Sequence, residues 1–541
     1  MKNNILGKKI SLVIILFIIL ASFLPTISGT FGKNTLQLGT KKEILHQSNF
    51  AVWEQLVGGD NQGFGKNTNI GIRGIEVYNG ELYLGTQSFN KSKILEVSNL
   101  QNIINKDHIS LEGFFPNLPF NLKEKTLIST IFSRYLRYSN YYFLMLLLSR
   151  SLNLAMNARA KMSDGCEVWK YNQSNGKWSQ LIGDNNDADL PVGFGDTRNL
   201  AASIIKEYKG KLYIGTWTSP LQGCELWRYD GNKWEQVVGK NALVKGGFND
   251  SNNIAVWCME EFNEYLYVGT MNWDYTDNGG CQVWRSKDGI HWSKVIDRGF
   301  RDFLPDLKQN VHNTYAWSII IFQDQLYIGT FNTNSVFGFE NSGCQLWRTL
   351  DGLSWEKVDC PGGDGFGEPE NYGIRSMAVY HNELYVASAT DAYQPNGLNV
   401  QGCEIWKYDS ETWTEVIGEG MSNHDEKDGF GTKWNKYIWS IVVSSDDRLW
   451  VGTLNMQIRV IGENTKGCEV WCFNGTNWVP IVKDEIGEID NGFGNIYNEG
   501  ARVMKEYPPG SSNIVVGTFK VVKPPKLSEG CEVWMRNVSI F

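Results

Sequence analysis

Three arginines and three tryptophans share one recurring place in the 541-residue chain. Arg73, Arg375 and Arg502, and Trp257, Trp317 and Trp439, each stand four residues after an asparagine that opens an apolar run; Ser203 fills the seventh such place. Neighbouring columns hold small or aliphatic residues, so this column breaks the rule of its own repeat. Guanidinium forks bind carboxylate or phosphate through paired N–H groups, and indole faces stack on rings. Turned towards a common axis, these side chains would set cations on one arc and indoles on the opposite arc. Such a funnel suits an anionic ligand with a flat or sugar-like body. Asn272, Asn332 and Asn455, which close the second apolar run of their repeats, complete the ligand-binding set. The structural alternative has the tryptophans plugging the channel and the arginines paired with carboxylates. Asp274, Asp277 and Asp391 are candidate acids on the same rim, but the sequence places no nucleophile beside them. The six histidines fall into no triad and no metal spacing, so neither a metal nor a cofactor is expected.

The column sits inside a longer pattern. A Gly-Cys pair recurs at Gly165, Gly223, Gly280, Gly343, Gly402, Gly467 and Gly530, at intervals near sixty residues. Each unit carries an apolar strand after the asparagine, a tight turn, an L-Y-x-G-T-like strand, a G-C-E-V-W-like strand, and a last strand built on a tryptophan. A Gly-Phe loop then leads to the next asparagine. No strand has a clearly polar face, which calls for sheets covered on both sides. The final unit ends at Trp534 without a fourth strand, and a spare one, Ala51–Val57, stands at the other end of the pattern. The expected architecture is all-β: a seven-bladed β-propeller of four-stranded antiparallel blades, closed by the N-terminal strand joining the last blade.

The repeat resembles kelch and Asp-box propellers, and its G-C-E-V-W-R unit resembles uncharacterised exported prokaryotic propellers. Ser286-Lys-Asp-Gly-Ile-His-Trp292 and Thr349-Leu-Asp-Gly-Leu-Ser-Trp355 are one residue shorter than the Asp-box S-x-D-x-G-x-x-W. Three arginines on such a scaffold are similar to the carboxylate-binding triad of sialidase-like propellers. No F-R-I-P-like segment precedes them here, and no tyrosine–glutamate nucleophile pair can be placed. What the resemblance implies is architecture; the fold hosts hydrolases, lyases and binding proteins alike.

Several recurring polar residues are expected to be structural. Glu167, Glu225, Gln282, Gln345, Glu404, Glu469 and Glu532 alternate between acid and amide, so a neutral acceptor serves and a buried hydrogen bond between blades is expected. The asparagines should cap turns. Seven of the ten cysteines hold one repeat position, about 10 Å from their equivalents in packed neighbours, too far for disulfides.

Residues 1–28 read as an export signal or signal anchor: three lysines precede the apolar run Ile10–Leu24, which ends at Pro25. Residues 29–49 read as a linker, and 50–90 with 164–541 as the propeller. The implied place is secreted or on the extracellular face of the membrane, where the sequons at Asn90, Asn172, Asn249, Asn474 and Asn537 are glycosylation candidates. The formal charge of −8 excludes nucleic acid as the expected partner. Residues 91–163 interrupt the first blade. Their helical-looking, basic half, 121–163, is expected to be a lid or docking helix, or else to touch a membrane surface. The functional expectation is an exported protein that binds a glycan or other anionic small ligand at the long-loop face, with catalysis not required. The alternatives are a glycan-active hydrolase or lyase in the same funnel and a scaffold for a protein partner.

Overall fold

The computed structural model describes residues 51–90, 163–219, 222–274, 279–304, 313–332, 343–390, 401–423, 426–457, 465–520 and 529–538. The expected export segment, the linker, nearly all of the insertion, Asp277 and Asp391 lie outside the described residues.

The chain is all-β, with short 3-10 turns and one four-residue helix, Asp428–Gly431, among the described residues. Each asparagine-led inner strand, such as Asn371–Tyr380, pairs antiparallel with the strand after it, here Glu383–Thr390. A further pair links each second strand to the next inner strand: Gln87 to Ala201, Trp217 to Ala255, Met271 to Tyr315, Phe331 to Gly373, Ala389 to Tyr437, Leu454 to Gly500, and Phe519 back to Gly71. The result is a closed antiparallel ring of 14 strands. Third and fourth strands extend each hairpin outwards, as Ile405–Tyr408 and Trp413–Ile417 do beyond Glu383–Thr390. The spare strand Ala51–Val57 pairs with Val533–Val538, Gln55 lying opposite Trp534, and so completes the last repeat from the other end of the chain.

One loop joins repeat to repeat, and its chemistry is the same each time. In Gly63-Phe64 and its six equivalents both residues are left-handed, the phenylalanines at φ 57–69°. Glycine adopts that region freely, whereas phenylalanine needs its surroundings to hold it there. The holding is aromatic: Phe64 stacks on Trp169 at 4.5 Å and meets Trp178 edge-on at 5.1 Å. The loop also reaches the third strand, since Gly193 N donates to Cys166 O and Cys166 N donates to Asn199 O of the next repeat. All ten cysteines are free, and the seven at the repeat position are buried.

The third-strand carboxylates and amides, expected to bond between blades, bond the asparagine and tryptophan of their own repeat and also the loop that joins it to the next, as Gln345 Nε2 does to Asp364 Oδ2. Asn435 Nδ2 donates to Gly429 O at 3.0 Å and to Glu469 Oε2 at 3.0 Å, and Trp471 Nε1 donates to the same oxygen at 2.8 Å. The reason is register: the inner strand and the third strand flank one second strand, so their loop ends meet. Asn435 is fully buried, and its loss removes one donor each from a buried carboxylate and a carbonyl and leaves Thr453 and Asn455 without their Oδ1 acceptor. Asn435→Ala is therefore expected to cost about 2 kcal/mol or more in urea unfolding, with an unchanged m-value.

Candidate functional site

Every inner strand carries two register shifts against its partner. The second falls between Ile72 and Gly74, Ala202 and Ile204, Val256 and Cys258, Ala316 and Ser318, Ile374 and Ser376, Ile438 and Ser440, and Ala501 and Val503. The residue skipped each time is a member of the odd column: Arg73, Ser203, Trp257, Trp317, Arg375, Trp439 or Arg502. A bulge re-aims its side chain, and here it does so seven times around a ring. The contacts show where these side chains go. Arg73 of the first repeat lies over the indole of Trp257 of the third, 4.1 Å from its centroid, and over Trp217 at 4.7 Å. Trp317 of the fourth repeat meets Tyr437 of the sixth edge-on at 6.0 Å. Contacts that skip a repeat can form only across the axis.

The arrangement inside the strand ring differs from two opposed arcs. Arginines and indoles interleave. Arg375 lies 5.4 Å from the Trp317 ring, and Arg502 lies 4.4 Å from Trp439 and 4.7 Å from Phe519. Each guanidinium thus covers an aromatic face that was expected to be open, because a long arginine reaches the neighbouring indole before it reaches the axis. Trp317 and Trp439 are also backed by strand: a Cβ built on Gly373 would stand 2.1 Å from the Trp317 ring, and one on Gly500 2.0 Å from that of Trp439. Tyr315, two residues before Trp317, links the group. It stacks on Phe331 at 4.3 Å and contacts Trp257 at 5.3 Å. The hydroxyl of Tyr372 meets that of Tyr437.

Arg375 is electrostatically unusual. Removal from water pulls its pKa down to about 10, with Tyr437 and Cys258 raising it weakly. Part of its surface still meets solvent, since the residue is half-buried. The two facts agree if the guanidinium borders a deep, narrow channel. Its Nε is buried with no hydrogen-bond partner, and no ion pair to Arg375 is present among the described residues. Burial also raises the Tyr315 phenol, with Tyr437 adding to the shift and Arg73 opposing it; the phenol stays protonated at neutral pH. Arg73 is more enclosed, its Nη1 donating to Gln87 Oε1 at 3.4 Å.

The asparagines of the expected set behave otherwise. Asn272 Nδ2 donates to Asn253 Oδ1 at 2.9 Å and to Asp250 Oδ2 at 3.1 Å, while its Oδ1 accepts from Asp274 N at 2.8 Å. Asn455 repeats this with Asn435 Oδ1 and Gln457 N. These amides shape the strand end; Asn332 is likewise fully buried. A signal for the interleaving was present in the sequence: all three arginines occur as Gly-x-Arg, at Gly71, Gly373 and Gly500. Those glycines are the ones that receive aromatic rings, Phe519 lying against Gly71. Among the described residues no group of His, Cys, Asp or Glu is arranged to hold a metal, and no helix is long and apolar enough to cross a membrane.

No family model matches the chain, and no curated protein matches it in sequence. Among solved structures it is similar to an α-L-arabinofuranosidase from Fusarium graminearum, at 9% identity and a TM-score of 0.34 over 62% of this chain and 91% of that one. It is also similar to an α-L-arabinanase from Penicillium chrysogenum, with 12% identity, TM-score 0.31, and 54% and 80% coverage. A luciferin-regenerating enzyme matches at 9% identity and TM-score 0.32, over 61% and 87%. Likeness at this level transfers neither residues nor activities.

Proposed function

We propose that this chain is a seven-bladed β-propeller that binds an anionic ligand in its axial channel. One observation carries the reading. Arg375 keeps a full charge in a water-poor position, without an ion pair among the described residues. A charge desolvated in this way costs free energy that an incoming anion recovers. Trp317 holds the guanidinium from one side, and the closed strand ring fixes both. Binding, and not turnover, is the primary role.

The test is a panel of acidic glycans, arabino-oligosaccharides and small carboxylates, screened for retention and, with fluorogenic glycosides, for cleavage. Retention of an anionic compound by the wild type and its loss in Arg375→Gln, at unchanged folding by circular dichroism, is the expected result. Retention of neutral sugars alone, or equal retention by the variant, would contradict it. The second reading, a glycan-active hydrolase or lyase, draws on the paired hydroxyls of Tyr372 and Tyr437, which put a protic group on the side of the channel that Arg375 senses through Tyr437. Cleavage of a glycoside that stops in Tyr437→Phe would favour it.

A further inference from the structure

We infer that the axial site takes a small carboxylate without a ring; this rests on the binding reading above and narrows its ligand. The first ground is the orientation of Arg375. With one face set over Trp317 at 5.4 Å and Nε buried, the guanidinium offers its terminal edge to the channel. A planar carboxylate meets that edge in the same plane, two oxygens to two N–H groups.

The second ground is the state of the indoles. A sugar ring needs an open aromatic face to stack on. Trp317 is 5% exposed and Trp439 8% exposed, each with a glycine and an arginine of the next strand packed against its ring. Neither has a face left to give. Trp257 keeps some solvent contact, but Arg73 lies over its ring at 4.1 Å and Tyr315 stands 5.3 Å away. Tyr315 and Tyr437, which also meet solvent, belong to one cluster in which Tyr437 lies 6.0 Å from the Trp317 ring and Tyr315 lies 5.7 Å from it. The space beside Arg375 is therefore bounded by ring edges and a protonated phenol, a setting for a few heavy atoms and a hydrogen bond, not for a pyranose.

Isothermal titration of the full chain at low ionic strength and neutral pH tests this with acetate, pyruvate, glucuronate, digalacturonate and inorganic phosphate. Acetate or pyruvate is expected to bind, and glucuronate and digalacturonate at least tenfold more weakly. Arg375→Gln should lose at least tenfold in affinity for the small carboxylate, and Arg375→Lys should recover part of it as a point charge. The lysine variant also separates lost binding from lost folding. Glucuronate binding as tightly as acetate, or phosphate binding in preference to both, would overturn the inference and leave the anion-binding reading in place. Absence of binding by every anion would overturn both.

Discussion

At pH 8, Glu404→Gln is expected to melt several degrees above the parent protein, a gain on the order of 2–3 kcal/mol, and at pH 4 the two should converge. The cause is a pair of carboxylates. Burial first, then the neighbouring Glu368, pushes the Glu404 pKa up to about 9, from an ordinary 4.5. Folding therefore holds a proton that the unfolded chain would release. Such a group gives its full stability below about pH 4.5 and loses it as the pH climbs towards 9. Glutamine has no proton to lose, so the variant's stability should be flatter over that window. The geometry favours the exchange as well. Glu404 Oε2 accepts from Trp406 Nε1 and Asn371 Nδ2, and Gln345 Oε1 accepts in the same way from Trp347 and Asn313. Gln282 Nε2 already donates to Asp250, which stands where Glu368 stands in its own repeat. The new amide would donate to Glu368, the carboxylate that the protonated Glu404 already faces. Thermal melts across pH 4–9 decide it. Parallel curves for the two proteins, or a variant less stable at pH 8, would contradict the shared-proton account.

Gly373→Ala is expected to destabilise the fold by about 3 kcal/mol, at the upper end of the cost of overpacking a core. The backbone at Gly373 is not left-handed, so alanine suffers no strain there. The whole penalty is collision with the Trp317 ring, 2.1 Å from the new Cβ. The indole has little room to retreat, with Phe331 edge-on at 5.0 Å, Tyr437 at 6.0 Å and Arg375 at 5.4 Å. A double-mutant cycle with Trp317→Leu isolates the clash. On the Trp317→Leu background, Gly373→Ala should be nearly neutral. If the two changes simply add, the ring is not what the glycine accommodates.

The architecture was legible because each strand's apolar run, each D-G or N-G turn and each Gly-Cys pair states one local rule and repeats it. The spare strand before Gly58 and the missing one after Trp534 could be matched by counting alone. The odd column was also visible, since Arg73 and Trp257 stand where aliphatic residues would be expected. Its meaning was not. A bulge removes one residue from the two-residue alternation, so sequence spacing no longer tells which way a side chain turns. Whether Arg73 faces an open indole or lies on it depends on the short Ser203 between them in the ring, which lets it reach Trp257 two repeats away. Asn272 and Asn455 were ambiguous for a different reason. Rim position and polarity look the same for a ligand contact and for a strand-end cap, and only the hydrogen bonds of Asn272 and Asn455 separate the two.

A crystal of the full chain grown with dibromoacetate, a compact carboxylate carrying two heavy scatterers, puts the central claim to its most direct trial. Anomalous bromine peaks are expected in the axial channel, with the carboxylate oxygens within hydrogen-bond reach of the Arg375 terminal nitrogens. Peaks confined to the outer surface, or a side-chain carboxylate of the protein itself seated against Arg375, would contradict it.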